Sequence, residues 1–184
     1  MKTPLFAFLA FCFIFGFSSC LEDELKHEIK NYTDEEYAVI SQHLNIPQHA
    51  NEYKLLSLPS QFRGSSLGFG MTNSGATLGR VLFYDNQLSK NDKVSCASCH
   101  LQEKAFADPV AFSEGFEGEL TERNSLALGN VRFYYDNRGF FWDERAHSIE
   151  EQTQLTIENH IEMGLDLDEL EGKLSDDEHY KILF

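Results

Sequence analysis

The feature that most constrains this chain is a pair of cysteines followed at once by a histidine: Cys96, two intervening residues, Cys99 and His100. This C-x-x-C-H pattern is the attachment signature of c-type haem. Each thiol can add to one vinyl group of the porphyrin, and the histidine that follows can give its imidazole nitrogen to the iron. A fold around this motif must enclose a large apolar ligand. The 16 Phe and 7 Tyr residues suit that task, although ordinary core packing also explains them.

Other kinds of site also use paired cysteines. Cys96 and Cys99 could form a disulfide in an oxidising compartment. A thioredoxin-like redox pair needs a βαβ setting, which the flanking sequence does not show. Zinc needs further thiols or a second well-spaced pair of histidines. Because a histidine follows the second cysteine directly, the pattern favours haem, with His100 as the axial ligand of the iron.

The N-terminus has the pattern of a targeting segment. Lys2 supplies a positive start, and the uncharged, Phe-rich stretch 4–17 is too short to span a bilayer, which takes roughly 20 residues. Two serines then precede Cys20, as in bacterial lipoprotein signals, so we expect residues 1–19 to be removed and Cys20 to carry a lipid. A plain secretory peptide with an incidental cysteine is the alternative. Both interpretations export the protein, and the first attaches it to a membrane surface in the periplasm.

The formal net charge of −15 argues against a nucleic-acid-binding role, because that role demands a basic surface. It suits a soluble domain whose protein partners carry positive patches. Helical periodicity and capping residues predict an all-α domain with long loops over 74–184, preceded by a tether, a short helix and a linker over 20–73. The predicted helices begin near Thr33 and Ser148, or span 74–84, 165–173 and 175–184.

Several motifs around the cysteines resemble one family in order and spacing. They are the run Leu78–Asp85, Leu88-Ser89, Arg123-Asn124-Ser125, Phe140-Phe141-Trp142-Asp143, Glu150-Glu151-Gln152 and Glu162-Met163-Gly164. Together they resemble the bacterial di-haem cytochrome c peroxidases, a family that includes the enzymes that mature methylamine dehydrogenase. The resemblance covers roughly residues 75–184. It implies a cytochrome c-like fold with covalently bound haem c, and it matches the first of the family's two haem domains, the one that reacts with peroxide.

The resemblance also implies roles for single residues. Glu162 matches the carboxylate that transfers protons beside the haem, and Gln152 matches a neighbouring hydrogen-bonding amide. Trp142 matches the tryptophan that relays electrons between the two haems, and Asn124 matches a ligand of an inter-domain calcium ion. Without the resemblance, Glu162 and Gln152 would be surface residues by default, and Trp142 would be a core anchor.

The implied activity is the reduction of hydrogen peroxide to water, with electrons from a small donor cytochrome c or copper protein. A non-catalytic electron-transfer cytochrome is the alternative from another class, and a maturation-type di-haem oxidase is the alternative within the family. A carrier fills the sixth iron position with Met or His, whereas Glu162 and Gln152 together favour an enzyme.

Two features depart from the family pattern. In much of the family a histidine in the loop after the haem motif caps the iron, and alignment places Phe116 at that position. Since phenylalanine cannot ligate iron, we expect an open, five-coordinate haem. The chain also holds no second C-x-x-C-H, and it stops within the helical pattern of 175–184. This predicts a fragment of a two-domain protein, with a genuine mono-haem form as the alternative.

Overall fold

A computed structural model describes residues 31–53, 72–131 and 139–184. Within these ranges the chain forms helices joined by long loops and isolated β-bridges, so the all-α prediction is confirmed. The α-helices are α1 (Asp34–His43), α2 (Asn73–Tyr84), α3 (Cys96–Cys99), α4 (Ile149–Glu158), α5 (Leu167–Asp176) and α6 (Glu178–Leu183). Short 3-10 turns cover Asn86–Leu88 and Gln102–Lys104.

Several predictions concern residues outside these ranges. They are the signal peptide (1–19), the lipid attachment at Cys20, the charged tether (21–30) and most of the linker (54–71). Among the described helices, none combines the length and the apolar character that a membrane crossing requires.

Local capping explains where α1 and α4 begin. The Thr33 hydroxyl accepts a hydrogen bond from the Glu36 backbone N–H (3.1 Å), and the Glu36 carboxylate accepts one from the Thr33 N–H (2.9 Å). In α4 the Ser148 hydroxyl accepts from the Glu151 N–H (3.0 Å), as predicted. The Glu151 carboxylate, however, reaches back one residue further, to the His147 N–H (2.7 Å).

The last two helices begin later than the apolar pattern predicts. The Asp166 carboxylate caps α5 by accepting from the Asp168 N–H (2.9 Å), so this helix starts at Leu167 rather than Leu165. Asp177 caps α6 in the same way through the His179 N–H (3.2 Å). An N-cap residue has extended backbone, and each aspartate therefore moves its helix start two or three residues along the chain.

Two clusters of buried side chains hold the helices together. The first joins α1, α2 and α6, and its buried members are Tyr32, Ile40, Val81, Tyr180 and Leu183. The second joins α4 to the turn after α2 and to the segment before α5, and its buried members are Leu88, Ile157, Met163 and Leu165. Leucines of α5 pack against the second cluster, so α5 lies between α6 and α4.

Polar contacts fix the segment that leads into the cysteine motif. The Tyr180 hydroxyl of α6 donates to the Asp85 carboxylate at the end of α2. The Lys173 ammonium of α5 donates to the Gln87 carbonyl (3.3 Å), the Ser89 carbonyl (3.0 Å) and the Asp92 carboxylate (2.8 Å). Both contacts span more than 80 residues of sequence, and they hold residues 85–92 against α5 and α6.

Candidate haem site

The two cysteines lie on one helical turn, as free thiols. Cys96 and Cys99 begin and end α3, and both are half-buried. Burial raises the pKa of both thiols, and a hydrogen bond between Cys99 and Ser113 offsets only part of the rise. A redox-active pair depends on a lowered thiol pKa, so these neutral thiols do not have the character of a thioredoxin-like site. Two adjacent uncharged thiols fit covalent attachment to a porphyrin.

His100 has the orientation of an axial ligand. Its Nδ1 lies 2.9 Å from the carbonyl oxygen of Phe106. A carbonyl can only accept, so Nδ1 carries the proton and Nε2 keeps its lone pair. Metal-binding histidines use this same bond to a backbone carbonyl to fix the ring and its tautomer. His100 is therefore set to offer Nε2 to a haem iron.

A strained turn brings the Phe106 carbonyl to His100. Ala105 and Phe106 both have left-handed backbone, with φ of 57° and 60°, a conformation that costs of order 1 kcal/mol or more for a residue other than glycine. The turn closes through hydrogen bonds from the Phe106 N–H to the Leu101 carbonyl (2.8 Å) and from the Leu101 N–H to the Ala107 carbonyl (3.2 Å). The Phe106 ring also packs edge-on against Phe83 of α2, with centroids 5.8 Å apart. Backbone strain that surrounding contacts maintain is often found at functional sites.

The residues present thus fit a covalent haem c better than the other sites considered. The thiols are free, they are adjacent, and the following histidine has one nitrogen committed and one available. In the part of the chain that the structure describes, no three His, Cys, Asp or Glu side chains come together in a way that could hold a metal ion. Zinc through these cysteines is therefore not supported.

Glu162 is placed by a turn that follows α4. The Asn159 side-chain oxygen accepts from the backbone N–H groups of Ile161 (2.9 Å) and Glu162 (3.2 Å), which turns the chain back toward the helix. Burial raises the pKa of Glu162, and the positive charge of Arg145 and a hydrogen bond from Thr156 counteract part of that rise. A half-buried carboxyl with a raised pKa is suited to both accept and donate a proton.

The structure places Glu162 near the cysteine motif, and Gln152 lies on α4. The negative charge of Glu162 is among the groups that raise the pKa of the Cys99 thiol, so the two side chains lie within electrostatic range. Gln152 is half-buried on α4, one helical turn before Thr156 and hence on the same face. Thr156 is among the groups that lower the pKa of Glu162, so this face of α4 lies near the carboxyl.

Phe116 lies against the Glu162 segment. Its side chain is only 7 % exposed, and its N–H donates to the Glu162 carbonyl (3.1 Å). The Asn91 amide donates to the Phe116 carbonyl (2.7 Å). The ring packs directly on Gly164, where an added Cβ would lie 2.4 Å from a ring carbon. The residue aligned with the family's capping histidine is therefore a buried phenylalanine beside the predicted acid–base group.

Trp142 is at the surface, so the alternative that it anchors the core is wrong. Its side chain is 56 % exposed, and its indole N–H donates to the Asn124 carbonyl (2.8 Å). The Asn124 amide in turn donates to the Val110 carbonyl (2.6 Å). The structure thus brings together two of the predicted site residues that are 18 positions apart in sequence. The calcium-ligand role of Asn124 stays a prediction.

Comparison with known proteins identifies the family. The profile described as di-haem cytochrome c peroxidase matches residues 73–184. The chain belongs to this family. Haem is the cofactor of this family, its members named here are peroxidases or related proteins, and the all-α domain is cytochrome c-like, as predicted.

Curated relatives and solved structures agree with this assignment. The chain is 32% identical over 114 residues to the methylamine utilization protein MauG of Methylophilus methylotrophus, which covers 62% of the chain and 33% of that protein. It is 38% identical over 86 residues to the cytochrome c551 peroxidase of Pseudomonas aeruginosa, covering 47% of the chain and 24% of the relative. A MauG-like protein associated with microbial copper homeostasis has a TM-score of 0.57 at 32% identity, covering 62% of the chain and 34% of that structure. The chain thus spans about a third of the length of such di-haem peroxidase relatives or less.

Four polar residues of the site were not found by sequence reasoning. Arg145 and Thr156 lower the pKa of Glu162, and the Asn159 side chain bonds the backbone that leads into Glu162. Ser113 contacts Cys99. Ser113 is almost fully buried, and its hydroxyl also lies 2.7 Å from the Asp108 carboxylate and 2.8 Å from the Ser125 hydroxyl. An Asn directly after a helix is a local turn signal that indicates a backbone reversal before Glu162. The others have no local signal, because their partners are set by the tertiary fold.

Proposed function

We propose that this chain is the peroxide-reacting haem domain of an exported di-haem peroxidase. It would reduce hydrogen peroxide to water in the periplasm, with electrons from a small donor cytochrome c or copper protein. The observation that carries the proposal is the half-buried Glu162 carboxyl, whose pKa burial raises and which lies within electrostatic range of the haem-attachment cysteine Cys99. An electron carrier has no use for a proton-transfer group beside its haem.

Different residues of the chain would hold the haem, transfer protons and orient the peroxide. Cys96, Cys99 and His100 would hold the haem, whose iron binds peroxide and exchanges electrons. Cleavage of the O–O bond needs a group that takes a proton from the oxygen nearer the iron and delivers one to the farther oxygen. Glu162 suits both tasks because its raised pKa lowers the cost of carrying the proton between them. Gln152, on the same face of α4 as Thr156, would orient the peroxide through its amide.

Phe116 gives the proposal a spectroscopic consequence. A buried phenylalanine next to the Glu162 segment offers no ligand, so the haem would be five-coordinate in its oxidised form and ready for peroxide. Electron paramagnetic resonance of the ferric protein should show a high-spin signal. The variant Phe116→His should introduce a low-spin, six-coordinate signal, whereas Phe112→His, at an exposed position of the same loop, should not. A purely low-spin signal from the unchanged protein would contradict the open site.

Trp142 would relay electrons to the site from outside this domain. An exposed indole that is held by a hydrogen bond to Asn124 can meet a second redox centre without rearrangement. Lipid attachment at Cys20 and a calcium ion near Asn124 belong to the same proposal, as features that the family resemblance and the N-terminal pattern imply.

A maturation-type oxidase is the second candidate, and the 32% identity to a methylamine utilization protein favours it. Both candidates require a peroxide-reactive haem and differ in what they oxidise afterwards. Reduced cytochrome c and a precursor of methylamine dehydrogenase are therefore the two substrates to compare after peroxide is added.

Stopped-flow mixing of the haem-loaded protein with hydrogen peroxide tests the proposal. The haem absorption spectrum should change rapidly, and Glu162→Gln should slow the change by about a hundredfold or more, the usual contribution of a general acid–base group. Glu158→Gln, at an exposed position on the end of α4, is the matched control and should react like the unchanged protein. No reaction with peroxide in the unchanged protein would favour the electron-carrier alternative instead.

A further inference from the structure

We propose that Ser113 and Asp108 are positioning residues for His100, and that the hydrogen bond between them holds the turn whose carbonyl fixes the His100 ring. This inference rests on the proposed function, because it takes His100 as the axial ligand of the haem iron. It gives a task to a buried serine and a half-buried aspartate that the sequence pattern does not single out.

The backbone of Ser113 is fixed at the base of a narrow loop over 113–121. Its N–H donates to the Thr121 hydroxyl (3.0 Å), and its carbonyl accepts from the Thr121 N–H (2.9 Å). One step further along the loop, the Gly115 N–H donates to the Glu119 carbonyl (2.8 Å). Ser113 is only 1 % exposed, so its hydroxyl binds its partners away from solvent.

The Ser113 hydroxyl donates its proton to the Asp108 carboxylate. The two oxygens lie 2.7 Å apart, the short distance of a charge-assisted bond. An ionised carboxylate can only accept and a hydroxyl has one proton, so the Ser125 hydroxyl, 2.8 Å from that of Ser113, must donate to it. The other Asp108 oxygen accepts from the Val110 N–H (3.2 Å). Because the serine is buried, water cannot readily replace it, and the bond is strong.

Asp108 lies at the end of the strained turn that serves His100. Two residues before it, the Phe106 carbonyl lies 2.9 Å from the His100 Nδ1 atom. Phe106 and the residue before it have left-handed backbone, with φ of 60° and 57°, so the turn keeps this shape only while contacts at its ends hold it. The turn begins at the histidine itself, and the bond from Ser113 to Asp108 fixes where it ends.

The bond at Nδ1 affects the iron through the imidazole ring. A histidine that donates its Nδ1 proton to a carbonyl is a more basic ligand at Nε2, and a more basic ligand favours the oxidised iron. If the turn relaxes, the bond from His100 to the Phe106 carbonyl lengthens and the bond between the iron and the histidine weakens. Ser113 carries no charge, so its removal should change this bond without changing the net charge of the site.

Matched variants separate this bond from general packing. Ser113→Ala removes the hydroxyl that bonds Asp108. Ser125→Ala is the control, because it removes the same kind of atom from the same network and leaves the bond between Ser113 and Asp108 in place. Asp108→Ala and the double variant Asp108→Ala/Ser113→Ala complete a double-mutant cycle. Glu103→Ala removes an exposed carboxylate from the same turn and controls for the lost charge.

Two signals of the haem-loaded protein report on the His100 ring. One is the iron–histidine stretching band in resonance Raman spectra of the reduced form; the other is the exchange of the Nδ1 proton with solvent, followed by proton NMR of the reduced carbon monoxide complex. Ser113→Ala should lower the frequency of the band and speed the exchange about tenfold or more, as expected when one hydrogen bond to a charged group is lost. Asp108→Ala should act in the same direction, and the double variant should go no further, because both changes remove the same bond. Ser125→Ala and Glu103→Ala should resemble the unchanged protein.

Three results would overturn the inference: a Ser113→Ala protein with both signals unchanged, a double variant whose shift is the sum of the two single shifts, or an unchanged protein without an iron–histidine band. If Ser113→Ala does not fold, Asp108→Asn keeps the side-chain shape, weakens the acceptor and should shift both signals the same way; no shift would count equally against the inference. Failure of the proposed function looks different. In that case the haem-loaded protein would not react with peroxide, while the two signals would still distinguish Ser113→Ala from Ser125→Ala.

Discussion

Substitution of Gly115 tests whether the loop that carries Phe116 is held against the Glu162 segment as the structure shows. A Cβ built on Gly115 would lie 1.7 Å from the Ile161 carbonyl oxygen and 2.7 Å from its carbon. Both atoms are backbone, so no side chain can rotate away to make room. Gly115 has no positive φ, and the cost of Gly115→Ala is therefore the cost of the close approach alone.

The magnitude follows from the distances. Real Cβ contacts essentially never fall below 3.0 Å, so the two backbone segments must separate by at least about 1.3 Å, the difference between 3.0 and 1.7 Å. A separation of that size would stretch the bond from the Phe116 N–H to the Glu162 carbonyl, now 3.1 Å, beyond hydrogen-bonding range. A lost hydrogen bond and local overpacking together cost roughly 2–4 kcal/mol.

Urea and thermal denaturation of the haem-loaded protein would measure this cost. The melting temperature of Gly115→Ala should fall by roughly 5–15 °C, and its reaction with peroxide should slow because Glu162 moves with its segment. Gly172→Ala, in the middle of α5, is the control. No atom lies within 4 Å of its added Cβ, so it should gain about 0.5–1 kcal/mol of stability from the better helix propensity of alanine. A Gly115→Ala protein within about 0.5 kcal/mol of the unchanged one would refute the packing described here.

Three further predictions concern single groups. Tyr180→Phe should lower the free energy of unfolding by about 1–3 kcal/mol in urea titrations, because the buried hydroxyl that bonds Asp85 is lost; the exposed Tyr84→Phe should change it little. Lys173→Met should lower it by about 1–2 kcal/mol, and the loss should persist at high salt because two of the three acceptors are neutral carbonyls. Glu162→Gln should be more stable than the unchanged protein at neutral pH. Burial raises the pKa of folded Glu162, so the unchanged protein loses stability as pH rises through that value, and the difference should vanish in acid.

The parts of the fold that sequence predicts well are those with local causes. Thr33 and Ser148 are followed three residues later by glutamate, and the resulting caps fix where α1 and α4 start whatever the rest of the chain does. The starts of α5 and α6 were placed too early because apolar spacing continues through their cap residues, Asp166 and Asp177. Both aspartates are possible N-cap residues in the sequence, but apolar periodicity alone does not show that the helices begin after them.

The turn after the haem motif shows the limit of local reasoning. Ala105 and Phe106 are poor choices for left-handed backbone, and no glycine or asparagine marks the position. Contacts from elsewhere impose the conformation: the His100 ring bonds the Phe106 carbonyl, and Phe83 of α2 packs on the Phe106 ring. A residue whose conformation is set by such contacts cannot be identified from its neighbours in sequence.

The candidate site also contains residues with local sequence signals and residues that only the tertiary fold brings together. Cys96, Cys99 and His100 can be identified from the sequence because their chemistry needs only adjacency along one turn. Glu162 is one acid among 30 Asp and Glu residues, and only the family resemblance selects it. Its surroundings come from three separate segments, which the fold brings together after α4 turns back.

One loop connects the two sides of the site. Ser113 contacts the Cys99 thiol, and Phe116, three residues later, bonds the Glu162 carbonyl. The distance between the cysteine turn and the proposed acid–base residue Glu162 is therefore set by a short stretch that is tied at both ends and contains Gly115 between them. Because an added Cβ at Gly115 would clash with the Ile161 backbone, a side chain there would push this stretch away from Ile161 and move Ser113 or Phe116 with it. A disturbance at Gly115 should consequently reach both the cysteine turn and the Glu162 carboxyl, the proposed proton-transfer group, although Gly115 itself has no chemistry to contribute.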